Sequence, residues 1–178
     1  MRHPTILLLA KPPLRRHGFT LIELMVTLSV LVVVMAVAAP SMADFSANNQ
    51  VAAAKTGFAG AVALARTEAA RLGKTVILQP LGSGPAGNEY LNGWEIVSDD
   101  DGDGLAGASE PRLRRSSIAY EKIKLSGARS LAFRASGALA GTSAQVYTVC
   151  RLSGSSAGYS ITVTPSGVSD VAAITNCS

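Results

Sequence analysis

An apolar run from Phe19 to Ala39, broken by one charge at Glu23, constrains this chain more than anything else in it. Its 21 residues match the roughly 20 that a helix needs to cross the hydrocarbon of a bilayer. A carboxylate four residues into such a span is expensive, so it calls for a partner. Upstream stand Arg2, Lys11, Arg15 and Arg16, with no acid before Gly18. Positive flanks stay cytoplasmic, which places everything after Ala39 across the membrane.

The stretch Gly18-Phe19-Thr20-Leu21-Ile22-Glu23, with the apolar run behind it, resembles the N-terminal motif of the type IV pilin and pseudopilin family. The resemblance implies cleavage between Gly18 and Phe19 by a prepilin peptidase and methylation of the new Phe19 amine. It also makes Glu23 the family's acid behind the cleavage site and Pro40 its helix-kinking proline. An ordinary secretory signal carries its apolar stretch before the cut and ends it with small residues; here the stretch follows the cut and stays in the mature protein. An uncleaved signal anchor is the alternative. The implied organisation is a leader over 1–18, a transmembrane and assembly helix over 19–40, an amphipathic second half of that helix over 41–73, and a periplasmic β-rich domain over 74–178.

A length of 178 residues fits one domain plus a membrane helix. The net charge of +4 invites a nucleic-acid partner, but four of the 16 basic residues and none of the 12 acidic ones lie in the leader. That leaves 12 against 12, and a neutral mature chain has no whole-molecule field to attract DNA. Cys150 and Cys177 are the two cysteines. In the oxidising compartment beyond the membrane an even count reads as a disulfide. Closing that loop of 27 residues is worth about 3 kcal/mol in the chain-entropy model. Two buried thiols are the other possibility.

The pattern predicts a helix from Phe19 to Leu72 with Pro40 as an internal kink. At 1.5 Å per residue such a helix is on the order of 80 Å long and must continue outward from the membrane. In its second half Val51, Phe58, Val62, Ala65, Ala69 and Leu72 recur at helical spacing, with Lys55, Arg66, Glu68 and Arg71 mainly off that stripe, so one face packs on a domain. Gly73 is a C-cap candidate. Beyond it, short β-branched runs alternate with Gly, Ser and Asp. They predict strands over 75–79, 94–98, 112–115, 118–124, 131–134, 145–150, 159–164 and 168–174. The fold class is α+β: one long helix packed on antiparallel sheet, in two small sheets.

Three pieces of this half, Ala65-Arg66-Thr67-Glu68-Ala69, Gly93-Trp94-Glu95-Ile96-Val97 with the acidic loop after it, and Val163-Thr164-Pro165-Ser166-Gly167, resemble the FimT/GspH group of minor pilins and pseudopilins. Some members of that group capture DNA through a basic Gly-Arg-x-Arg motif. The corresponding residues here, Gly167-Val168-Ser169-Asp170, lack both arginines. A different cluster, Arg112, Arg114 and Arg115, is the candidate phosphate contact; the alternative is a strand edge kept soluble by charge.

Glu23 has two readings. It can pair with the Phe19 amine of its own or a neighbouring subunit, where low dielectric strengthens attraction and desolvation opposes it. Pairing between subunits would set axial register in a filament. Otherwise it is an acid at headgroup level beside the positive helix N-terminus.

Asp99, Asp101, Asp103, Gly104 and Glu110 follow the spacing Asp-x-Asp-x-Asp-Gly-x₅-Glu of a calcium loop. Calcium takes six to eight oxygens, Leu105 would add a backbone carbonyl, and Glu110 would chelate with both oxygens. The flanks read as strands rather than helices, so a solvated turn competes with a Ca2+ site.

Gly154-Ser155-Ser156-Ala157-Gly158 fits a nucleophile elbow. His3 and His17 are the chain's histidines and both lie in the leader, so Ser156 has no imidazole base. Gly82-Ser83-Gly84-Pro85-Ala86-Gly87 fits Gly-x-Gly-x-x-Gly, but no helix follows and Pro85 interrupts it, which argues for a mobile loop rather than a dinucleotide site. No enzyme is expected. The leading expectation is a minor pilin or pseudopilin in the bacterial inner membrane, its partners other pilins, the prepilin peptidase and the assembly platform. It would join a type IV pilus or a type II secretion pseudopilus, priming assembly or sitting near the tip. A DNA-uptake receptor of the same filament, and a periplasmic binding module on a signal anchor, are the alternatives.

Overall fold

The computed structural model describes residues 18–117, 122–153 and 157–177, without the side chains of 39–41. The leader lies outside the described residues, as does the bend expected from the Pro40 ring. Helix α1 spans Leu21–Leu72. The chain forms two compact units, divided after Ser41.

In the first unit every described side chain is exposed, including Leu21, Ile22, Val30, Leu31 and Val37. Such an apolar surface has no stable place in water. By length and composition α1 is long and apolar enough to cross a membrane. Its hydroxyls are already served: Thr27 donates to the Leu24 carbonyl at 2.9 Å and Ser29 to the Met25 carbonyl at 2.8 Å. Those two hydroxyls therefore need no water, as hydrocarbon requires.

The second unit, Met42–Ser178, is built on the rest of α1. Val51, Ala54, Phe58, Ala61, Val62, Ala65 and Ala69 are buried. This is the anticipated stripe, completed by two alanines at three- and seven-residue offsets and with Leu72 at its partly buried end. Alanines let the sheets approach the helix closely. Gly73 ends the helix at φ 66°, its N–H donating to the Ala69 carbonyl at 3.0 Å; only glycine takes that conformation without cost.

Eight strands follow: β1 Thr75–Pro80, β2 Trp94–Asp99, β3 Arg112–Ser116, β4 Ile123–Ser126, β5 Leu131–Phe133, β6 Gln145–Arg151, β7 Gly158–Val163 and β8 Ser169–Ile174. They form two antiparallel sheets, ordered β3-β2-β1-β5 and β4-β6-β7-β8. Of the strand expected over 118–124, residues 118–121 lie outside the described ones, and the described part is β4, which runs on to Ser126. The pattern Ile123 and Leu125 buried, Lys124 and Ser126 half-buried, is the period-2 signal that places it.

Phe58 is the hub of the core. Its ring lies 5.0 Å from Tyr90, 5.5 Å from Trp94 and 4.8 Å from Tyr147, which joins the helix, the β1–β2 connection and both sheets. The expected mobile loop over 82–87 is held instead. Arg129 donates to the Gly84 carbonyl at 3.1 Å, and Glu89 accepts from Gly87 N–H at 2.8 Å and Gly127 N–H at 3.2 Å. Burial alone would raise the Glu89 pKa, but those N–H groups and Arg129 hold it below the usual value.

Candidate functional site

At the start of α1, Thr20 and Glu23 cap each other. The Glu23 N–H donates to Thr20 Oγ1 at 3.2 Å, and the Thr20 N–H donates to Glu23 Oε2 at 3.4 Å. This is a capping box, the Thr-x-x-Glu spacing that satisfies two orphan donors at a helix N-terminus. The spacing was legible in the sequence and is a third role for Glu23 beside amine pairing and headgroup contact. Gly18 and Phe19 precede the helix, and Phe19 is 83% exposed.

Cys150 and Cys177 form a disulfide. It ties β6 to the tail beyond β8. Gly158 at the start of β7 passes so close that a Cβ there would collide with the Val149 carbonyl and the Cys177 sulfur. That glycine therefore belongs to the bridge. Residues 154–156, including Ser156 of the nucleophile-elbow pattern, lie outside the described residues.

The acidic loop joins β2 to β3, strands on both sides as anticipated. The carboxylates of Asp99, Asp101 and Asp103 come together, their ligand atoms within 4.8 Å of one another. Each also accepts from backbone: Asp99 from Gly102 and Gly104 at 2.7 and 3.1 Å, Asp101 from Asp103 at 3.1 Å, and Asp103 from Leu105 at 2.7 Å. Glu110 does not join them. Its Oε1 accepts from Asp100 N–H at 2.8 Å and its Oε2 from Gly107 N–H at 2.7 Å. Asp100 is held below the usual carboxylate range by the Ser98 hydroxyl and by Lys74. The loop thus caps its own backbone donors.

The three arginines of β3 are not one patch. A bulge between Ile96 and Val97 sets Arg114 opposite Ile96 but Arg112 opposite Val97. Cross-strand partners share a face, and the extra residue of a bulge reverses the alternation. Arg115 and Arg112 therefore turn to Glu95, 3.4 and 3.7 Å from its Oε2. Gln79 donates to the other Glu95 oxygen at 2.9 Å. Arg112 also donates to the carbonyls of Gly107, Ala108 and Glu110 at 3.0, 3.0 and 2.9 Å, so it closes the acidic loop. Arg114 lies on the helix side, beside Trp94 and Ile96. Glu95, only 5% exposed, was not singled out in the sequence; its place opposite Arg115 in an apolar strand is the signal that would have found it.

Gly167 sits in the β7–β8 turn at φ 80°. A side chain there would meet the Gly137 carbonyl, which Arg66 of α1 holds at 3.2 Å. The two resembling motifs around Arg66 and Gly167 thus meet in space.

Residues 56–167 match the family model described as type II transport protein GspH, and residues 13–39 match the prokaryotic N-terminal methylation motif. A comparison with curated proteins finds no match. Among solved structures, the chain is similar to the type IV minor pilin FimU of Pseudomonas aeruginosa in two crystal forms. One has 18% identity and a TM-score of 0.60, covering 75% of this chain and 99% of that one. The other has 17% identity and a TM-score of 0.55, with coverages of 69% and 96%.

Proposed function

The chain belongs to the GspH family, and on that premise we propose that it is a minor pilin subunit that waits in the bacterial inner membrane and enters a filament through its apolar helix. Pilins and pseudopilins of this GspH/FimT group are structural components, not enzymes. In the proposed cycle a prepilin peptidase cuts between Gly18 and Phe19, the 19–40 segment anchors the chain, and the β-rich domain faces the periplasm. An assembly platform then moves it into a type IV pilus or type II secretion pseudopilus, where it primes growth or sits near the tip. The observation that carries this reading is the exposed apolar first unit, opened by Thr20 and Glu23 directly behind Gly18 and Phe19.

Glu23 has a physical part in this scheme. Its 3.4 Å contact with Thr20 is long for a hydrogen bond. The carboxylate remains available to a Phe19 ammonium, in its own chain or in a neighbour packed alongside. In hydrocarbon an unpaired charge is costly, so a helix placed with its acid against a neighbour's amine is favoured over other axial positions. Glu23→Gln keeps the cap and removes the charge. It is expected to insert in the membrane and to be lost from sheared filaments; normal incorporation would refute the charge role. Mass spectrometry should find a chain starting at methylated Phe19, and one starting at Met1 excludes the processing scheme. The subunits that co-purify with the assembly decide between pilus and secretion system.

A DNA-uptake role finds less support, because Arg112 and Arg115 are drawn to Glu95. A gel shift by the detergent-solubilised chain at low salt, lost when the three arginines are changed, would reinstate it.

A further inference from the structure

We propose that the acidic loop of one copy of this chain docks, Leu105 first, into a groove on the β-rich unit of a second copy. The groove is an apolar recess of about 390 Å³, walled by Gly57, Gly60 and Leu64 of α1, by Trp94 and Ile96 of β2, and rimmed by Arg114 of β3. Its lining includes Arg114 and Ser116 of β3, the edge strand of the β3-β2-β1-β5 sheet.

Three observations point to an occupant from outside the chain. Gly60 is a mid-helix glycine whose absent Cβ would meet nothing within 4 Å. Glycine is the poorest helix former after proline, and packing within the unit does not call for it there. Arg114 has no ion-pair partner among the described residues, although both neighbouring arginines have one. Trp94 and Ile96, themselves buried in the core, form the groove floor, so the recess is rigid rather than a gap between mobile side chains.

The chain carries the complement. Leu105 is 68% exposed, the most exposed large apolar side chain among the described residues of the second unit. Its N–H is bonded to Asp103 Oδ1 at 2.7 Å, which fixes the leucine beside a carboxylate, with exposed Asp101 adjacent. An apolar knob flanked by acids matches an apolar recess flanked by an unpaired guanidinium in shape class and in sign. Leu105 does not line its own chain's groove. The contact therefore joins different surfaces of two copies and is of the heterologous kind. This rests on the filament reading only in that assembly brings copies side by side.

The native cysteines are both in the disulfide, so introduced thiols report cleanly. Full-length chains carrying Leu105→Cys and Gly60→Cys, on two distinguishable tags, are produced together and mildly oxidised in membranes and in sheared filaments. The expected result is a mixed disulfide between the two tags. Arg114→Glu in the Gly60→Cys copy should lower its yield about tenfold, and Asp103→Lys or Asp101→Lys in the Leu105→Cys copy should restore it. Retention of the Cys150–Cys177 bridge in each variant confirms folding. No mixed product, a yield indifferent to Arg114→Glu, or capture of Leu105→Cys by a different subunit overturns the proposal. If the chains are found in filaments without the cross-link, only this contact fails. If Glu23-intact chains never enter filaments, the filament reading fails instead.

Discussion

The two oxygens of Glu110 accept the N–H groups of Asp100 and Gly107 at 2.8 and 2.7 Å, and that use holds the acidic loop in shape. A carboxylate only 5% exposed that serves two backbone donors would have to share its oxygens between those N–H groups and any cation. Losing both acceptors orphans donors that cost about 1–3 kcal/mol each when unsatisfied. Glu110→Ala should therefore lower the unfolding free energy of the chain by about 2–4 kcal/mol in a denaturant titration. Adding calcium or a chelator to the unmodified protein should shift its melting temperature by less than about 1 °C, since no ligand-linked stabilisation is expected. A rise of several degrees with calcium would return Glu110 to the chelating role that its spacing suggests. The same scale explains Arg112, whose three carbonyl contacts make it part of the loop.

Among the elements, β8 depends most on a covalent tie. Its burial pattern is exposed over Asp170–Ala173, and as an edge strand it has β7 as its only strand neighbour. The Cys150–Cys177 bridge, separated by 27 residues, holds the tail that follows it. Cys177→Ser should cost about 3 kcal/mol of stability, and amide exchange should rise first in β8, the element with least burial. Uniform exchange across both sheets would mean that the bridge acts on the whole unit instead. The strand succession was legible because turn residues and β-branched runs alternate regularly after Gly73. That β4 runs on to Ser126 was not, since only its pairing with β6 carries it past Lys124.

For the unit as a whole, the aromatic cluster about Phe58 sets both stability and its dependence on pH. Burial pushes Tyr147 up to about 12, and burial with the neighbouring Tyr147 pushes Tyr90 up as well. An unfolded tyrosine ionises near 10. Folded pKa values above that mean the stability is fully present below pH 10 and is lost as pH rises through the folded values. Tyr147 alone should cost about 2 kcal/mol between pH 10 and 12. Unfolding titrations across that window check this, and Tyr147→Phe should flatten the slope.

The apolar first stretch of α1 was legible in the sequence alone, because length and composition over some twenty residues make a helix fit to span a bilayer without any tertiary partner. The amphipathic stripe of α1, the Gly73 stop and the disulfide pairing were equally local or had a single solution. Tertiary structure decided the rest. The bulge opposite Ile96 separates Arg114 from Arg112 and Arg115, the buried Glu95 claims two of them, and Glu110 turns to the backbone. Each outcome depends on which face a side chain takes once strands pair, and a one-residue irregularity in register reverses that face.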